Sequence, residues 1–244
     1  MKIGTGLTAA FAVATIAGTA MADGQIRVDK YPNGAYNAAA VGSVGSGFRV
    51  NKISGNNGQF GGQDGSATSL MSFCLEESER IDDQGEYYTV VSDRAMFGGG
   101  NGGPNGDVLS SQTAALYSAF YHGELFGGSP STTDTDDLQI AIWILEGERG
   151  GSGRPGVAAL LAWADEATDN DGINDRAGFN RFLGQLGDVR VLQLWSDPNA
   201  QDPNHARQDL LTIAPLPPAA WAGFSTLACV AGIGYIRRRQ NQAQ

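Results

Sequence analysis

The chain has 244 residues, with 16 basic and 26 acidic side chains and a net charge of −10. All 26 acids lie between residues 23 and 212, where only 12 of the basic residues are found, and this excess of negative charge argues against a nucleic acid partner. The same region is long enough to bury a hydrophobic core, and we predict one domain over residues 23–212.

Residues 1–22 have the pattern of a secretory signal peptide. They begin with a single basic residue, Lys2, continue through an apolar run of small residues, and end in Ala-Met-Ala. This pattern predicts cleavage before Asp23 and export of the mature protein.

The central region contains two kinds of patterned segment. Runs rich in β-branched and aromatic residues predict strands over 47–53, 69–77, 86–93 and 188–195. Runs of helical length predict helices over 110–125, 135–148, 156–167 and 175–186. Glycine-rich stretches over 55–65 and 97–106 predict surface loops. The order favours an α+β fold, with a β-rich body, sandwich or barrel-like, that carries a helical insertion.

One cysteine of the domain, Cys74 in "MSFCLEESER", has no second cysteine to pair with, because Cys229 lies in the apolar segment near the C-terminus. Alternation in a strand over 69–77 puts Cys74 on the face opposite Phe73 and Leu75. The thiol therefore points away from its most apolar neighbours. Free cysteines are often buried and inert, so a structural thiol and a reactive one both remain open.

A single amide, Gln139, stands near the start of the apolar helix predicted over 135–148. Trp143 follows one turn later on the same helix face. The letters Asp136-Asp137-Leu138-Gln139 also fit a capping box, in which the glutamine bonds the backbone of Asp136 as the cap residue. A helix cap and a functional amide are alternative interpretations of Gln139.

The segments "FCLE" and "LQIAIW" together resemble the two signatures of bacterial thioester domains, also called TQXA domains, which are found in surface adhesins. The resemblance implies that the Cys74 sulfur attacks the Gln139 carboxamide, ammonia leaves, and an internal thioester remains. It also implies a surface-attachment role in which an amine on a ligand opens the thioester to a stable amide. The aromatic residues Phe73, Tyr117, Tyr121 and Trp143 are candidates for a dry pocket around the bond, although core packing explains each of them equally well.

Other constellations predict less. The acidic run over 165–178 resembles a calcium loop but lacks the first ligand and the bidentate glutamate of an EF-hand. His122 and His205 have no partner at metal-ligand spacing, so we expect no metal site and no cofactor. A Cys74–His122 dyad of a cysteine hydrolase stays possible because such dyads are assembled in space.

The C-terminal residues have the pattern of a sorting signal. A proline-rich break over 213–218, an apolar segment over 219–236 and a basic tail over 237–244 follow each other. The apolar segment predicts a transmembrane helix, and the arginines place its C-terminal end in the cytoplasm. This arrangement resembles PEP-CTERM sorting signals in a variant form, which implies processing by an exosortase-like enzyme. The residues that carry the resemblance are Pro215, Leu216, Pro217, Arg237, Arg238 and Arg239.

Three functions follow from these patterns. The first is a non-enzymatic surface or matrix protein that attaches covalently, through a Cys74–Gln139 thioester, to an amine-bearing surface. The second is a structural extracellular matrix protein sorted by exosortase, and the third is a cysteine hydrolase. Loss of one ammonia from the intact domain distinguishes the first from the other two.

Overall fold

The computed structural model of the chain describes residues 24–30, 47–55, 69–77, 79, 81–82, 84–96, 106–128, 130–168, 186–198 and 204–214. The predicted signal peptide, the predicted helix over 175–186, most of the acidic run over 165–178, and the whole of the C-terminal sorting signal from Pro215 onward lie outside these residues. Among the described helices, none is both long enough and apolar enough to cross a membrane.

Six antiparallel strands form the main sheet, in the order β3-β2-β1-β4-β7-β8. The strands are β1 (Gly24–Lys30), β2 (Phe48–Gly55), β3 (Ser69–Ser72), β4 (Gly85–Ser92), β7 (Val189–Trp195) and β8 (Ala206–Ile213). Two short strands, β5 (Arg94–Ala95) and β6 (Asp107–Val108), pair separately in a small hairpin. β-branched and aromatic residues are frequent in β2, β4 and β7, and such residues favour extended structure.

The first and last strands of this sheet meet. After β3, residues 73–75 continue in extended form and hydrogen-bond β8 instead of β2. The Leu211 N–H donates to the Phe73 carbonyl at 3.1 Å, and the Leu75 N–H donates to the Asp209 carbonyl at 3.1 Å. Cys74 lies between these bonds, opposite Leu210. The sheet therefore closes on itself next to Cys74.

Closure of the sheet creates two hydrophobic cores. The inner core is enclosed by the sheet and contains Cys74 together with strand residues such as Ile26, Val50 and Leu192. The second core lies on the outer face, where three helices cover β7 and β8. Phe73 and Leu75 belong to the outer core, so the chain alternates between the two cores at Cys74. The predicted alternation of this segment is confirmed.

The helices α1 (Ser111–Tyr121), α2 (Thr132–Leu145) and α3 (Pro155–Thr168) lie between β6 and β7 in the chain. Ser110 caps α1 by accepting the Thr113 N–H, and Ser131 caps α2 in a capping box with Asp134. Pro155 is the first residue of α3, a position where its missing N–H costs nothing. The predicted α+β class with a helical insertion is confirmed.

Candidate functional site

Cys74 lies in the residues that close the sheet. Its side chain belongs to the inner core and only 3% of the residue is exposed. Because Phe73 and Leu75 use their backbone groups to bond β8, the backbone N–H and C=O of Cys74 point to the opposite side. On that side β2 has not yet begun, since its first residue, Phe48, pairs with Ser72. The backbone N–H and C=O groups of Cys74 therefore need a hydrogen-bond partner other than β2.

Gln139 supplies that partner. It lies in the second turn of α2, is 1% exposed, and directs its carboxamide at the backbone of Cys74. The Cys74 N–H donates to Gln139 Oε1 at 2.9 Å, and Gln139 Nε2 donates to the Cys74 carbonyl at 2.8 Å. The side-chain amide thus occupies the place that a peptide group takes in a neighbouring strand. Two bonds of good length in a buried setting hold it in one orientation.

This geometry fixes the carbonyl carbon of Gln139 beside Cys74. Cδ of Gln139 carries Oε1 and Nε2, the two atoms that hydrogen-bond the N–H and C=O groups of Cys74. The Cys74 sulfur is joined to the same backbone through Cβ alone. The Cys74 N–H already donates to the oxygen that becomes negative when a nucleophile adds to Cδ, which is the arrangement of an oxyanion-stabilising donor. The structure therefore brings the predicted pair together; the covalent bond between them stays a prediction.

The capping interpretation of Gln139 is wrong. The helix begins at Thr132, not near Asp136, and its cap is Ser131, whose side chain accepts the Asp134 N–H. Gln139 is therefore too far along the helix to reach a free backbone N–H of the first turn. Both "STTD" and "DDLQ" fit the capping pattern, and the earlier of the two is used.

The four aromatic residues predicted as a pocket are divided between the cores. Trp143 belongs to the inner core with Cys74, and Tyr121 packs against both cores. Phe73 and Tyr117 belong to the outer core, where Phe73 makes edge contacts with Tyr117 and Phe120 at centroid distances of 6.3 and 5.0 Å. The Tyr117 hydroxyl donates to the Met71 carbonyl. Of these four aromatic residues, only Trp143 and Tyr121 contact the inner core and can help to exclude water from the Cys74 side chain.

Trp143 is held over the site by the loop that follows α2. The guanidinium carbon of Arg149 lies 5.3 Å from the centre of the indole ring, and Arg149 forms an ion pair with Glu77. Within the described residues the indole N–H of Trp143 is buried without a hydrogen-bond partner. The contact of Arg149 with both residues fastens this loop to the segment that carries Cys74.

The environment of the thiol favours its protonated form. Burial raises the pKa of Cys74 well above its usual range, and the nearby carboxylates of Glu76 and Glu79 raise it further. A cysteine hydrolase needs the reverse, a cation beside the sulfur that stabilises the thiolate. His122, the partner in the predicted dyad, has its Nε2 atom 3.7 Å from Asp188. The electrostatics of Cys74 thus give no support to the hydrolase interpretation.

A group of carboxylates beside Cys74 was not predicted from the sequence. Glu76 is 2% exposed, its carboxyl oxygens accept from no N–H or O–H group of other described residues, and its side chain shares a hydrogen bond with the carboxyl of Glu79. Burial raises the pKa of Glu76 to about 10, and the charges of Asp209 and Glu79 add to the effect. Asp209, 1% exposed on β8, accepts the Met96 N–H, and burial raises its pKa well above the usual range. The acids of "FCLEESE" gave no sign of burial in the sequence, because their neighbour Asp209 lies on β8, far along the chain.

The predictions on metal sites and on the calcium-like loop are tested only over the residues that the structure describes. No group of three or more potential metal ligands is found among the residues that the structure describes. The acidic run over 165–178 is described only as far as Thr168, at the end of α3, so the predicted calcium-like loop lies outside the described residues.

Comparisons with known proteins give one structural similarity. No protein-family model matches the sequence, and no curated protein matches it. Among solved structures, the chain is similar to the N-terminal thioester domain of fibronectin-binding protein SfbI from Streptococcus pyogenes, with 9% sequence identity and a TM-score of 0.40. The match covers 80% of this chain and 95% of that chain.

Proposed function

We propose that the chain is an exported surface or matrix protein whose Cys74 and Gln139 form an internal thioester, through which it attaches covalently to amine-bearing surfaces. The observation that carries the proposal is the pair of reciprocal hydrogen bonds between the Gln139 carboxamide and the Cys74 backbone. These bonds hold Cδ of Gln139, the electrophilic carbon, against the backbone of the residue that carries the nucleophilic sulfur. The site is buried, and the Cys74 N–H donates to the carbonyl oxygen of Gln139.

The chemistry needs no cofactor. The bond between Sγ of Cys74 and Cδ of Gln139 forms, the Cδ–Nε2 bond breaks, and the thiol proton leaves with the nitrogen as ammonia. A primary amine then reverses the roles: its nitrogen attacks Cδ, the sulfur leaves and regains a proton, and a stable amide joins ligand and protein. The protein reacts once and is not regenerated, so we expect a binding protein and not an enzyme.

The reciprocal bonds also support a second candidate. A buried amide must satisfy its donors and acceptor, and Gln139 satisfies one donor and its acceptor by fastening α2 to the closure of the sheet. In this interpretation Cys74 is an inert buried thiol and the chain is a structural matrix protein sorted by its C-terminal segment. The two candidates share the geometry and differ only in whether the covalent bond forms.

Intact mass of the freshly purified domain decides between them. The thioester predicts a mass lower than the sequence mass by one ammonia, and a gain of one methylamine when the domain is incubated with that amine. Cys74→Ala and Gln139→Ala should each abolish both changes. Resistance of the folded protein to thiol reagents is a poor substitute, because a thiol that is 3% exposed with a raised pKa is unreactive in either case.

A matched control uses another glutamine of the chain. Gln193 on β7 is partly buried, and its Nε2 donates to the Arg94 carbonyl and not to the backbone of Cys74. Gln193→Ala should keep the mass deficit in whatever fraction of the protein folds. A wild-type domain with the full sequence mass and no methylamine adduct leaves the structural matrix protein as the function.

A further inference from the structure

Thioester formation raises a problem of proton transfer that the Cys74–Gln139 pair does not solve by itself. The thiol must lose a proton and the leaving nitrogen must gain one, yet burial and the nearby carboxylates oppose a free thiolate. Amide nitrogen is also a very poor leaving group unless it is protonated. A group that gives a proton to nitrogen while it takes one from sulfur removes both obstacles.

We propose that Glu76 is this group: its carboxyl exchanges protons with the Cys74 sulfur and the Gln139 nitrogen during thioester formation, and with the sulfur and the attacking amine during opening. The inference rests on the proposed function and deepens it. Glu76 follows Cys74 by two residues in the segment that closes the sheet, where Phe73 and Leu75 face the outer core and Cys74 the inner one, so alternation puts Glu76 on the side of Cys74, and both residues are buried.

The state of the Glu76 carboxyl fits this role. Both of its oxygens are buried with no N–H or O–H donor from other described residues, and the protonated carboxyl of Glu76 hydrogen-bonds the carboxylate of Glu79. Burial, and after it the charges of Asp209 on β8, Glu79 in its own segment and Glu148 in the loop after α2, raise the pKa of Glu76 to about 10 and keep it protonated near neutral pH. A neutral buried carboxyl can donate a proton and accept another in the same step.

The carboxylate group also connects the site to solvent. Glu79, which interacts with Glu76 and with the Cys74 thiol, lines a surface cavity of about 250 Å³ together with Asp82, Ala206 and Arg207. Buried Glu76, half-buried Glu79 and this cavity therefore lie in sequence from the inner core to the surface. Such an arrangement keeps the Glu76 carboxyl in protonation equilibrium with solvent, so that the pH of the solution sets its state.

The balance of the steps is simple. In formation, the protonated Glu76 carboxyl gives its proton to Nε2 as the Cδ–Nε2 bond breaks, and it takes the proton of the thiol as the Sγ–Cδ bond forms. In opening, it gives a proton to the departing sulfur and takes one from the nitrogen of the attacking amine. The carboxyl ends each step as it began, and no other reactant is needed.

The experiment compares wild type with Glu76→Gln, which keeps the size of the side chain and removes the exchangeable acid. Each protein is purified in denaturant from inclusion bodies, so that the Gln139 carboxamide is still intact, and intact mass is followed with time as the chain folds. Purified thioester is then opened with methylamine over a range of pH. We expect Glu76→Gln to slow both reactions by about 10²-fold or more. Glu124→Gln, the same change at an exposed position after α1, should behave as wild type.

The pH profile separates proton exchange from a structural effect. After correction for the concentration of free amine, the opening rate of wild type should fall as pH rises through about 10, where the Glu76 carboxyl loses its proton. In Glu76→Gln the corrected rate should be flat. A wild-type domain with the mass deficit whose corrected rate shows no fall overturns the role of Glu76, even if the variant does not fold. Equal rates for wild type and Glu76→Gln also overturn it, whereas absence of the deficit in wild type overturns the proposed function itself.

Discussion

The reciprocal bonds of Gln139 predict that a Gln139→Glu substitution destabilises the domain in a pH-dependent way. The change is best made in a Cys74→Ala background, which keeps the backbone of residue 74 and removes any contribution of a thioester. The new carboxylate can accept the N–H of residue 74, as Oε1 does now, but it cannot donate to the carbonyl that Nε2 now serves. A charge is thereby buried at a position only 1% exposed, against an unpaired carbonyl.

The expected loss at pH 8 is about 3–5 kcal/mol of unfolding free energy, the usual cost of an uncompensated buried charge. Burial raises the pKa of the new carboxyl in the folded state above the value of about 4.3 that it has in the unfolded chain. The loss therefore grows as pH rises above about 4.3. Below that pH the neutral carboxyl donates to the carbonyl, and the loss falls to about 1 kcal/mol.

Urea denaturation at pH 4 and pH 8, followed by circular dichroism, measures the effect. Gln139→Met in the same background is the control, since it leaves both backbone groups of residue 74 unpaired and should cost about 1–3 kcal/mol for each group at either pH. If Gln139→Glu is as stable as its parent at pH 8, the carboxamide does not lie against Cys74, and the geometry on which the proposed function depends is refuted.

Three further predictions concern other parts of the molecule. Burial raises the pKa of Glu76 to about 10, so the folded state holds a proton that the unfolded state loses near the ordinary pKa of 4.5. The unfolding free energy should therefore decline as pH rises from about 4.5 to 10, and Glu76→Gln should flatten this decline in urea titrations. Gly47→Ala should cost about 1–3 kcal/mol, because the added Cβ would overlap the Ser72 carbonyl oxygen, a backbone atom that cannot rotate away; Gly153→Ala, where the Cβ meets no atom, should be neutral in the same thermal melts. Finally, the C-terminus of the mature protein should map between Pro215 and Ala219, and neutral replacements of Arg237, Arg238 and Arg239 should leave precursor of full length; mass spectrometry of surface-exposed protein that still carries the basic tail would contradict the sorting proposal.

Local patterns predicted most of the central fold. β2, β4 and β7 are rich in β-branched and aromatic residues, and the three described helices begin at Ser or Pro signals, so each was found within a few residues. β1 was missed because only two apolar residues, Ile26 and Val28, carry its alternation, and β8 was missed because polar Gln208 and Asp209 occupy buried positions in its first half. Their strand character comes from pairing with neighbours, which a local pattern does not contain.

In the candidate site, too, residues that a local pattern marks were predicted and residues that meet only in the fold were not. Cys74 and Gln139 stood out in the sequence as the single cysteine of the predicted domain and a single amide in an apolar helix, and the structure brings them together. The carboxylates did not stand out, because Glu76 and Asp209 are far apart in the chain and meet only when the segment after β3 pairs with β8. Likewise, the pocket prediction mixed residues of both cores, since Phe73 and Cys74 are adjacent in sequence yet lie on opposite faces of the sheet.

Under the proposed function, the closure of the sheet has a mechanical consequence. β8 is bonded to β7 on one edge and to residues 73–75 on the other, and these bonds run across the strand. A pull applied at Ala214 along the axis of β8 therefore loads both sets of bonds together, in shear, instead of peeling them apart one at a time. The proposed attachment point, Gln139, hydrogen-bonds Cys74, which lies directly beside β8. Force between a ligand bound at Gln139 and the end of β8 would thus cross the closure of the sheet by a short path and leave β1 and β2 unloaded.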